Sequence, residues 1–162
     1  MKNAKVGTSG GTNVTSSEAA FVASAEFHQG REWEENAKQI LEDIGYTVIR
    51  NRELPDLLVT DKTRAVWVEC KSKARMKQHP ATGFNQRNYD SYVLAERLLG
   101  RPVIVAFKEP AENVTYGNTL DVLEQHIYGK DWGVVTFQYP EAFVSLDRPS
   151  NWQWLIEEAL EA

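Results

Sequence analysis

Residues 55–71 read PDLLVTDKTRAVWVECK, two short apolar runs joined by the polar sequence DKTR. Apolar runs of this length, rich in β-branched residues and separated by a short turn, predict two antiparallel strands of one hairpin. Charges are rare in buried strands, yet Asp56 opens the first run while Glu69 and Lys71 close the second. The hairpin commits the chain to a sheet, and its charged ends need an explanation.

Strand geometry gives these charges a common location. Alternate side chains of a strand share a face, so Glu69 and Lys71 point the same way, Cys70 points the other way, and the hairpin brings Asp56 alongside. Two converging carboxylates repel each other unless a cation lies between them, and their hard oxygens suit Mg²⁺ or Mn²⁺. An amine beside such an ion can orient a water or stabilise charge on a phosphate, which is the chemistry of phosphodiester hydrolysis. The alternative is an ordinary charged triplet, with Asp56 marking only a turn.

The rest of the chain predicts an α/β fold. Ser17 can cap a short helix over EAAFVASAEF, and REWEENAKQILEDI predicts a second helix that ends at Gly45. Strands follow over YTVIRN, PDLLVTD and RAVWVECKSK, then a helix over NQRNYDSYVLAERLLG and the strand PVIVAFK. The residues of that last helix predicted to face the core are Tyr89, Tyr92, Val93, Leu94, Leu98 and Leu99. Beyond Pro110, TLDVLEQHIY and SNWQWLIEEALEA predict helices and GVVTFQ predicts a strand.

Length and charge define the domain organisation. The 162 residues fit a single domain over residues 17–162, with a core at about 26–108, preceded by a flexible arm over residues 1–16 that has little to bury. Residues 1–108 hold 16 Lys and Arg against 13 Asp and Glu, whereas residues 109–162 hold 2 against 10 and form an acidic C-terminal extension. A polyanion is therefore expected to meet the first part. No apolar run predicts a membrane span or a secretion signal, and one cysteine without zinc-like spacing fits the reducing cytosol.

The motifs resemble those of the PD-(D/E)XK nuclease superfamily, which has the restriction-endonuclease-like fold. Pro55-Asp56 matches the PD, and Glu69-Cys70-Lys71 matches the (D/E)XK with Cys70 at the free position. The helix GREWEENAKQILEDIGY and the following strand look like the first elements of archaeal Holliday-junction resolvases and related phage nucleases. The resemblance covers residues 26–108 and leaves the C-terminal extension unmatched.

The resemblance implies a central mixed β-sheet flanked by helices, an αβββαβ core with an additional C-terminal region. It implies that Asp56, Glu69 and the Cys70 carbonyl hold Mg²⁺ or Mn²⁺ and that Lys71 acts on the attacking water. Glu34 occupies the family's helical glutamate position, and Gln86 is similar to the glutamine that begins the second helix in many members. The alternatives are a solvated helix face for Glu34 and a polar helix start for Gln86. The Cys70 thiol is expected to be a small buried group.

A row of cations beside this site predicts contacts with DNA phosphates. If the strand continues past Lys71, then Lys73, Arg75 and Lys77 share a face with Glu69. Residues at the start of the next helix, Arg87 and Tyr89, extend the patch, as do Arg50 and Arg52 after the first strand. ARMKQHPATGFNQ, which contains His79, predicts a mobile loop over the cleft. The alternative is a solvated basic run that offsets local acids.

The sequence therefore predicts a Mg²⁺-dependent nuclease acting on DNA, with a junction resolvase as the preferred subtype. Cutting two strands symmetrically requires a homodimer, and Trp132, Trp152 and Trp154 are expected either at its interface or in the core. The competing hypothesis is a catalytically silent nucleic-acid-binding or assembly module that keeps the fold, whose acidic C-terminal extension mimics nucleic acid or binds a basic partner.

Overall fold

The computed structural model describes residues 10–162, with side chains from residue 25 onward. The helices are α1 Gly10–Asp43, α2 Gln86–Leu99, α3 Leu120–Glu124 and α4 Pro149–Glu161. The strands are β1 Thr47–Arg50, β2 Leu57–Thr60, β3 Ala65–Ser72, β4 Ala81–Asn85, β5 Ile104–Glu109, β6 Val114–Thr119, β7 Ile127–Gly129, β8 Val134–Gln138 and β9 Val144–Ser145. The first nine residues of the predicted arm lie outside the described residues, and from Gly10 onward the chain is helical where the arm was predicted. No helix of the described part has the length and apolar character to cross a membrane.

Six strands form the main sheet in the order β1-β2-β3-β5-β6-β9. The predicted β2–β3 hairpin is confirmed, with Leu57 opposite Val68 and Thr60 opposite Ala65. β3 and β5 are the parallel pair of this sheet, and its other neighbours are antiparallel. A parallel pair needs a long crossover, and β4 and α2 provide it. The predicted central mixed sheet flanked by helices is confirmed.

The two faces of the main sheet carry separate apolar cores. Val66, Val68 and Cys70 of β3 face the core that contains residues of α1 and α4, including Trp33 and Trp152. Trp67 of β3 faces the second core, which α2, α3 and the smaller sheet complete. Because side chains alternate along a strand, Glu69 and Lys71 belong to the second face. The candidate site therefore lies on the face that packs against α2.

α1 is one helix where the sequence predicts two. Its predicted apolar spacing is confirmed, because Trp33, Ala37 and Leu41 are buried against the sheet. Gly45 has a φ of 105°, which only glycine adopts without strain, and the Tyr46 N–H then donates to the Leu41 carbonyl. The predicted stop at Gly45 is thus confirmed, and the short N-terminal helix is continuous with the second one.

α2 has the predicted boundaries but a narrower buried face. The Asn85 side chain accepts from the Asn88 N–H at its start, and Gly100 ends it with a φ of 66°. Tyr92 is fully buried, whereas Leu94 and Leu98 are 57% and 75% exposed. The prediction that these two leucines face the core is wrong, because the sheet covers only the side of α2 that carries Tyr92.

The smaller sheet has the order β4-β8-β7, and its first strand lies where the sequence predicts a mobile loop. The second half of that loop is β4, which pairs along its whole length with β8. Gly83 reads as a loop residue, yet a Cβ atom there would clash with the Val135 carbonyl oxygen of β8. Glycine is therefore needed for close approach of two strands, and the loop prediction is wrong for residues 81–85.

The acidic C-terminal extension is part of the domain core. β6 and β9 continue the main sheet, and Trp152 of α4 is fully buried, 6.0 Å between ring centroids from Trp33 of α1. The predicted helix over SNWQWLIEEALEA and strand over GVVTFQ are confirmed. The predicted helix over TLDVLEQHIY is confirmed only for its first half, since β7 begins at Ile127.

Glu96 of α2 makes the stability of this fold depend on pH. Burial is the main cause that raises the pKa of Glu96 from 4.5 to about 7. The hydrogen bond that Glu96 accepts from the Val103 N–H lowers this pKa, and the carboxylates of Glu124 and Asp121 raise it. The folded chain therefore binds a proton more tightly than the unfolded chain, so stability falls as the pH rises from 4.5 to about 7. Because Glu96 is half-buried, solvent screens these charges and the loss is expected to be about 1 kcal/mol. Glu96→Gln keeps an acceptor for Val103 and should remove this loss.

The measurement is thermal unfolding at pH 5 and pH 8. The wild type should lose about 2–4 °C in melting temperature relative to Glu96→Gln between the two values. Glu158→Gln on the exposed side of α4 is the matched control. An equal pH dependence in all three proteins would contradict the prediction.

Candidate active site

The hairpin register places Asp56 opposite Glu69. Leu57 pairs with Val68 and Leu58 with Trp67, so the next position before β2 meets the residue after Val68. Opposite side chains of antiparallel strands have Cβ atoms about 4.5–5.5 Å apart. β2 begins only at Leu57, and the Asp56 Oδ2 accepts from the Cys70 N–H at 2.9 Å. The Asp56 side chain thus accepts a hydrogen bond from the β3 backbone just beyond the last strand pair. The prediction that the hairpin brings Asp56 alongside Glu69 agrees with this register.

The segment before β2 is held by a residue that the sequence analysis did not single out. The Asn51 N–H donates to the Asp56 carbonyl at 2.7 Å, and the Asn51 side-chain amide donates to the Pro55 carbonyl at 3.1 Å. These bonds fix the backbone on both sides of the Pro55-Asp56 peptide. An asparagine five residues before a motif aspartate is a weak signal, because asparagine is common in turns of every kind.

Glu69 is a buried carboxylate with an unpaired oxygen. It is 1% exposed, and its Oε2 has no hydrogen-bond partner among the residues that the structure describes. Burial raises the pKa of Glu69 well above its ordinary value, the Asp56 carboxylate raises it further, and Lys71 opposes both effects. An unpaired buried carboxylate is costly. A proton or a cation placed at this oxygen would therefore stabilise the site.

Lys71 lies on the same face as Glu69, as predicted. Its Nζ is 3.9 Å from the Glu69 Oε1 and 5.8 Å from the centroid of the Tyr92 ring. The ammonium is thus within electrostatic reach of the carboxylate and does not approach within direct hydrogen-bonding distance of it.

Tyr92 of α2 lies on the buried side of the site. The ring is fully buried, and its hydroxyl has no hydrogen-bond partner in the described part of the chain. Burial raises the pKa of Tyr92, and the carboxylates of Glu69 and Asp56 raise it further. The sequence placed Tyr92 in the core by its helical spacing and gave no sign that it borders the carboxylates.

Glu34 approaches Asp56 from α1. Partial burial raises the pKa of Glu34, the Asp56 carboxylate raises it further, and Arg50 lowers it. The Arg50 Nη2 lies 3.6 Å from the Glu34 Oε1, and its Nη1 pairs with Glu35. Arg50, predicted to extend the phosphate-binding patch, is therefore engaged by two glutamates. The Asp56 charge thus acts on Glu34, and a supporting role of Glu34 in the site stays a prediction.

The carboxylate side chains alone do not provide a complete set of metal ligands. No group of three His, Cys, Asp or Glu side chains in the described chain has the closeness that a metal ion needs. Cys70 can add a backbone oxygen, because the N–H and C=O of one strand residue point to the same side, here toward Asp56. Its thiol is buried among the apolar residues of the α1 face, and burial followed by the neighbouring Asp56 raises the thiol pKa well above its ordinary value. The prediction of a small buried group is confirmed for the Cys70 side chain.

Gln86 lies at the start of α2, as the sequence predicted. Its amide nitrogen donates to the Asp90 Oδ1 at 2.9 Å, along the exposed side of the helix. Its N–H donates to the Gly133 carbonyl and so ties α2 to the smaller sheet. Both hydrogen bonds of Gln86 are typical of a residue at the start of a helix, and a catalytic role for Gln86 stays a prediction.

The predicted row of cations does not form. β3 ends at Ser72, because its partner β5 ends one residue before Pro110. Arg75 pairs with the buried Glu109 and with Glu112, and its guanidinium lies 4.4 Å from the centroid of the Tyr139 ring. The condition for the row, a strand that continues to Lys77, is not met, and Arg75 joins the crossover to the C-terminal part of the domain.

The other predicted DNA contacts remain on the surface. Lys77 and Arg87 are exposed, and the Lys73 Nζ donates to the Gly83 carbonyl at 2.9 Å. The Tyr89 hydroxyl donates to the Glu124 Oε1 at 2.7 Å, so it is already used within the fold. A phosphate contact by Lys73, Lys77 or Arg87 is compatible with these positions and stays a prediction.

Comparison with known proteins places this arrangement in a known fold. No protein-family model and no curated protein matches the sequence. The solved structures similar to the chain include Hjc, a Holliday junction resolvase from Archaeoglobus fulgidus, with a TM-score of 0.56 and 14% identity over 72% of this chain and 91% of that chain. They also include a bacterial homing endonuclease, I-Ssp6803I, with a TM-score of 0.48 and 14% identity over 81% of this chain and 91% of that chain.

The first of these comparisons bears on the fold. At 14% identity it concerns backbone architecture and not chemistry, and it agrees with the sheet and helix order described above. The resemblance read from Pro55-Asp56 and Glu69-Cys70-Lys71 is thereby confirmed at the level of the fold. The chain has the restriction-endonuclease-like fold.

Proposed function

We propose that this protein is a Mg²⁺- or Mn²⁺-dependent nuclease that hydrolyses DNA phosphodiester bonds. The observation that carries the proposal is the Asp56–Glu69 pair, in which a buried carboxylate with an unpaired oxygen lies next to a second carboxylate. Such a pair is unfavourable on its own and becomes favourable around a hard divalent ion. The donor set that fits is Asp56, Glu69 and the Cys70 carbonyl, with waters completing the coordination.

The residues of the chain have separate parts in this reaction. When bound, the ion supplies a Lewis acid for the phosphate oxygens and lowers the pKa of a bound water. Asp56 is held by its bond from the Cys70 N–H, so its second oxygen is oriented before any ligand arrives. The Lys71 ammonium, 3.9 Å from Glu69, is close enough to orient the attacking water or to stabilise negative charge developing on the phosphate.

The substrate within this class is proposed from the fold. The solved structure with the TM-score of 0.56 is a Holliday junction resolvase, and we take a branched DNA as the preferred substrate of this chain. Symmetrical cutting of two strands requires two active sites, and so a homodimer. Fold likeness is compatible with several nuclease activities, which the substrate panel below separates.

The proposed function is tested by incubating the protein with a plasmid, a linear duplex, a single strand and a four-way junction, each with Mg²⁺ and with chelator. Cleavage is expected only with the ion, and the junction should be cut faster than the linear duplex. Equal cutting of all four substrates would refute the junction preference but not the nuclease. No cleavage of any substrate, together with no heat of Mg²⁺ binding by calorimetry, would favour the silent module.

A further inference from the structure

A cleft of about 480 Å³ opens beside the candidate active site, between the end of β3 and the smaller sheet. Its lining includes Lys73, His79, Tyr128 and Trp132. A strand rises about 3.3 Å per residue, so Lys73 lies roughly 7 Å beyond Lys71 along the chain. Lys73 is exposed as a residue, but partial desolvation of its ammonium group on the Gly83 carbonyl lowers its pKa, and the Lys71 charge lowers that pKa further. The cleft is thus next to the candidate site, and Lys73 already has a predicted role in it as a phosphate contact.

Trp132 stands at the rim of this cleft without any packing partner. It lies between β7 and β8, is 100% exposed and has a φ of 58°, whereas Trp152 is fully buried. The consecutive positive φ values of Trp132 and of Gly133, which is 71°, belong to the tight turn between β7 and β8. The exposed indole leaves a large apolar surface in water and contributes nothing to the stability of the fold. This exposure is explained if the indole has a ligand.

The wall of the cleft is aromatic and its neighbourhood is basic. The Tyr128 hydroxyl lies 2.9 Å from the His79 Nδ1, and Tyr128 is 44% exposed. The Lys73 ammonium is anchored on the Gly83 carbonyl at the floor. Asp131 is the carboxylate in the lining, and an adjoining groove, which shares His79 with the cleft, adds the exposed Lys77. Aromatic rings with cations around them are what a nucleobase and its phosphate require.

We propose that this cleft binds an unpaired base of the DNA substrate, with the base stacked on the Trp132 indole and the adjacent phosphate near Lys73. Only an unpaired or splayed base offers its faces to an aromatic ring, because the faces of paired bases are covered by their neighbours in the duplex. The inference rests on the proposed function for its choice of DNA as ligand. It adds that the substrate carries single-stranded or unpaired nucleotides near the cut phosphate.

The test measures binding without cleavage. A fluorescently labelled single-stranded 20-mer and the blunt duplex of the same sequence are titrated with the wild type and with Trp132→Ala, Trp132→Phe and Tyr128→Ala in chelator at fixed salt. Trp154→Ala is the matched control, because Trp154 is 51% exposed on α4, which packs on the opposite face of the main sheet. Loss of one stacked base costs about a tenfold loss of affinity.

The expected result is that Trp132→Ala weakens single-strand binding about tenfold and leaves duplex binding unchanged. Trp132→Phe should retain most of the affinity, Tyr128→Ala should lose part of it, and Trp154→Ala should match the wild type. Because Trp132 has no packing contacts, its variants should unfold at the wild-type temperature. Unchanged single-strand affinity in Trp132→Ala, an equal loss for the duplex, or no single-strand binding by the wild type would overturn the inference.

The base site and the proposed nuclease function can fail independently, and the two failures give different results. Binding in chelator does not need the Asp56–Glu69 site, so a silent module would still show the Trp132-dependent affinity. A nuclease without this base site would cut DNA with Mg²⁺ and show no difference between Trp132→Ala and the Trp154→Ala control. Sedimentation of the free protein adds one more criterion: self-association that depends on Trp132 would assign the indole to a second copy of the chain and refute the base site.

Discussion

Replacing Asp56 with asparagine is expected to abolish Mg²⁺-dependent cleavage while leaving the metal-free protein at least as stable as the wild type. A neutral amide is a poor ligand for a hard cation, and the loss of one electrostatic contributor at an active site costs on the order of 10²–10³ in rate. The asparagine oxygen can still accept from the Cys70 N–H, so the backbone should keep its position. Its amide nitrogen can donate to the buried Glu69, which now lacks a partner on Oε2.

The stability of this variant depends on pH in a defined direction. Burial and the Asp56 charge raise the pKa of Glu69, so the folded wild type loses stability as the pH rises above the ordinary glutamate value. Asp56→Asn removes the second cause, and its advantage over the wild type should therefore grow from pH 5 to pH 8 in chelator. A new hydrogen bond to the carboxylate adds about 1 kcal/mol, or about 2–4 °C in melting temperature.

The measurements are plasmid cleavage with Mg²⁺ and thermal unfolding with and without the ion. Mg²⁺ should raise the melting temperature of the wild type and have little effect on Asp56→Asn. Glu158→Gln, on the exposed side of α4, is the control for the loss of one carboxylate and should behave as the wild type. If Asp56→Asn is clearly destabilised in chelator, or still cuts at the wild-type rate, Asp56 is a structural charge and the proposed nuclease loses its main support.

The part of the site that could be read from the sequence is the part that local rules determine. A hairpin with a short turn fixes which residues face each other, so Asp56 and Glu69, which are 13 positions apart, lie opposite each other once the register is known. Strand alternation then separates Cys70 from Glu69 and Lys71. Charges at the ends of apolar strands conflict with burial, and such conflicts are where functional sites are expected.

The parts that were missed depend on contacts distant in sequence. β4 contains glycine and threonine and has no alternating pattern, and its strand character comes from pairing with β8 about 50 residues later. Arg75 is a free cation in the sequence and an ion-paired one in the fold, because Glu109 and Glu112 approach it from the end of β5. The same holds for Tyr92, which spacing assigns to the core and the fold places against Glu69.

Replacing Lys71 with alanine is expected to separate catalysis from metal binding. Lys71 is not a ligand: its Nζ is 3.9 Å from the Glu69 Oε1, and an ammonium has no lone pair to give to a metal. A group that transfers or orients a proton in the transition state contributes about 10²–10⁴ in rate. Cleavage by Lys71→Ala should fall by that factor, while Mg²⁺ should still raise its melting temperature. Lys38→Ala on α1 is the control for the loss of one lysine.

Lys71→Ala should also change the pH dependence of the stabilisation by Mg²⁺. The Lys71 charge opposes the causes that raise the pKa of Glu69, so its removal should raise that pKa further. A proton then competes with the ion up to a higher pH, and the stabilisation by Mg²⁺ should appear at a higher pH in Lys71→Ala than in the wild type. Once Glu69 is ionised the ion meets one positive charge fewer, so the stabilisation at high pH should be at least as large as in the wild type. Loss of Mg²⁺ stabilisation at every pH would mean that Lys71 holds the carboxylate pair together, and its assignment to the water and the phosphate would be wrong.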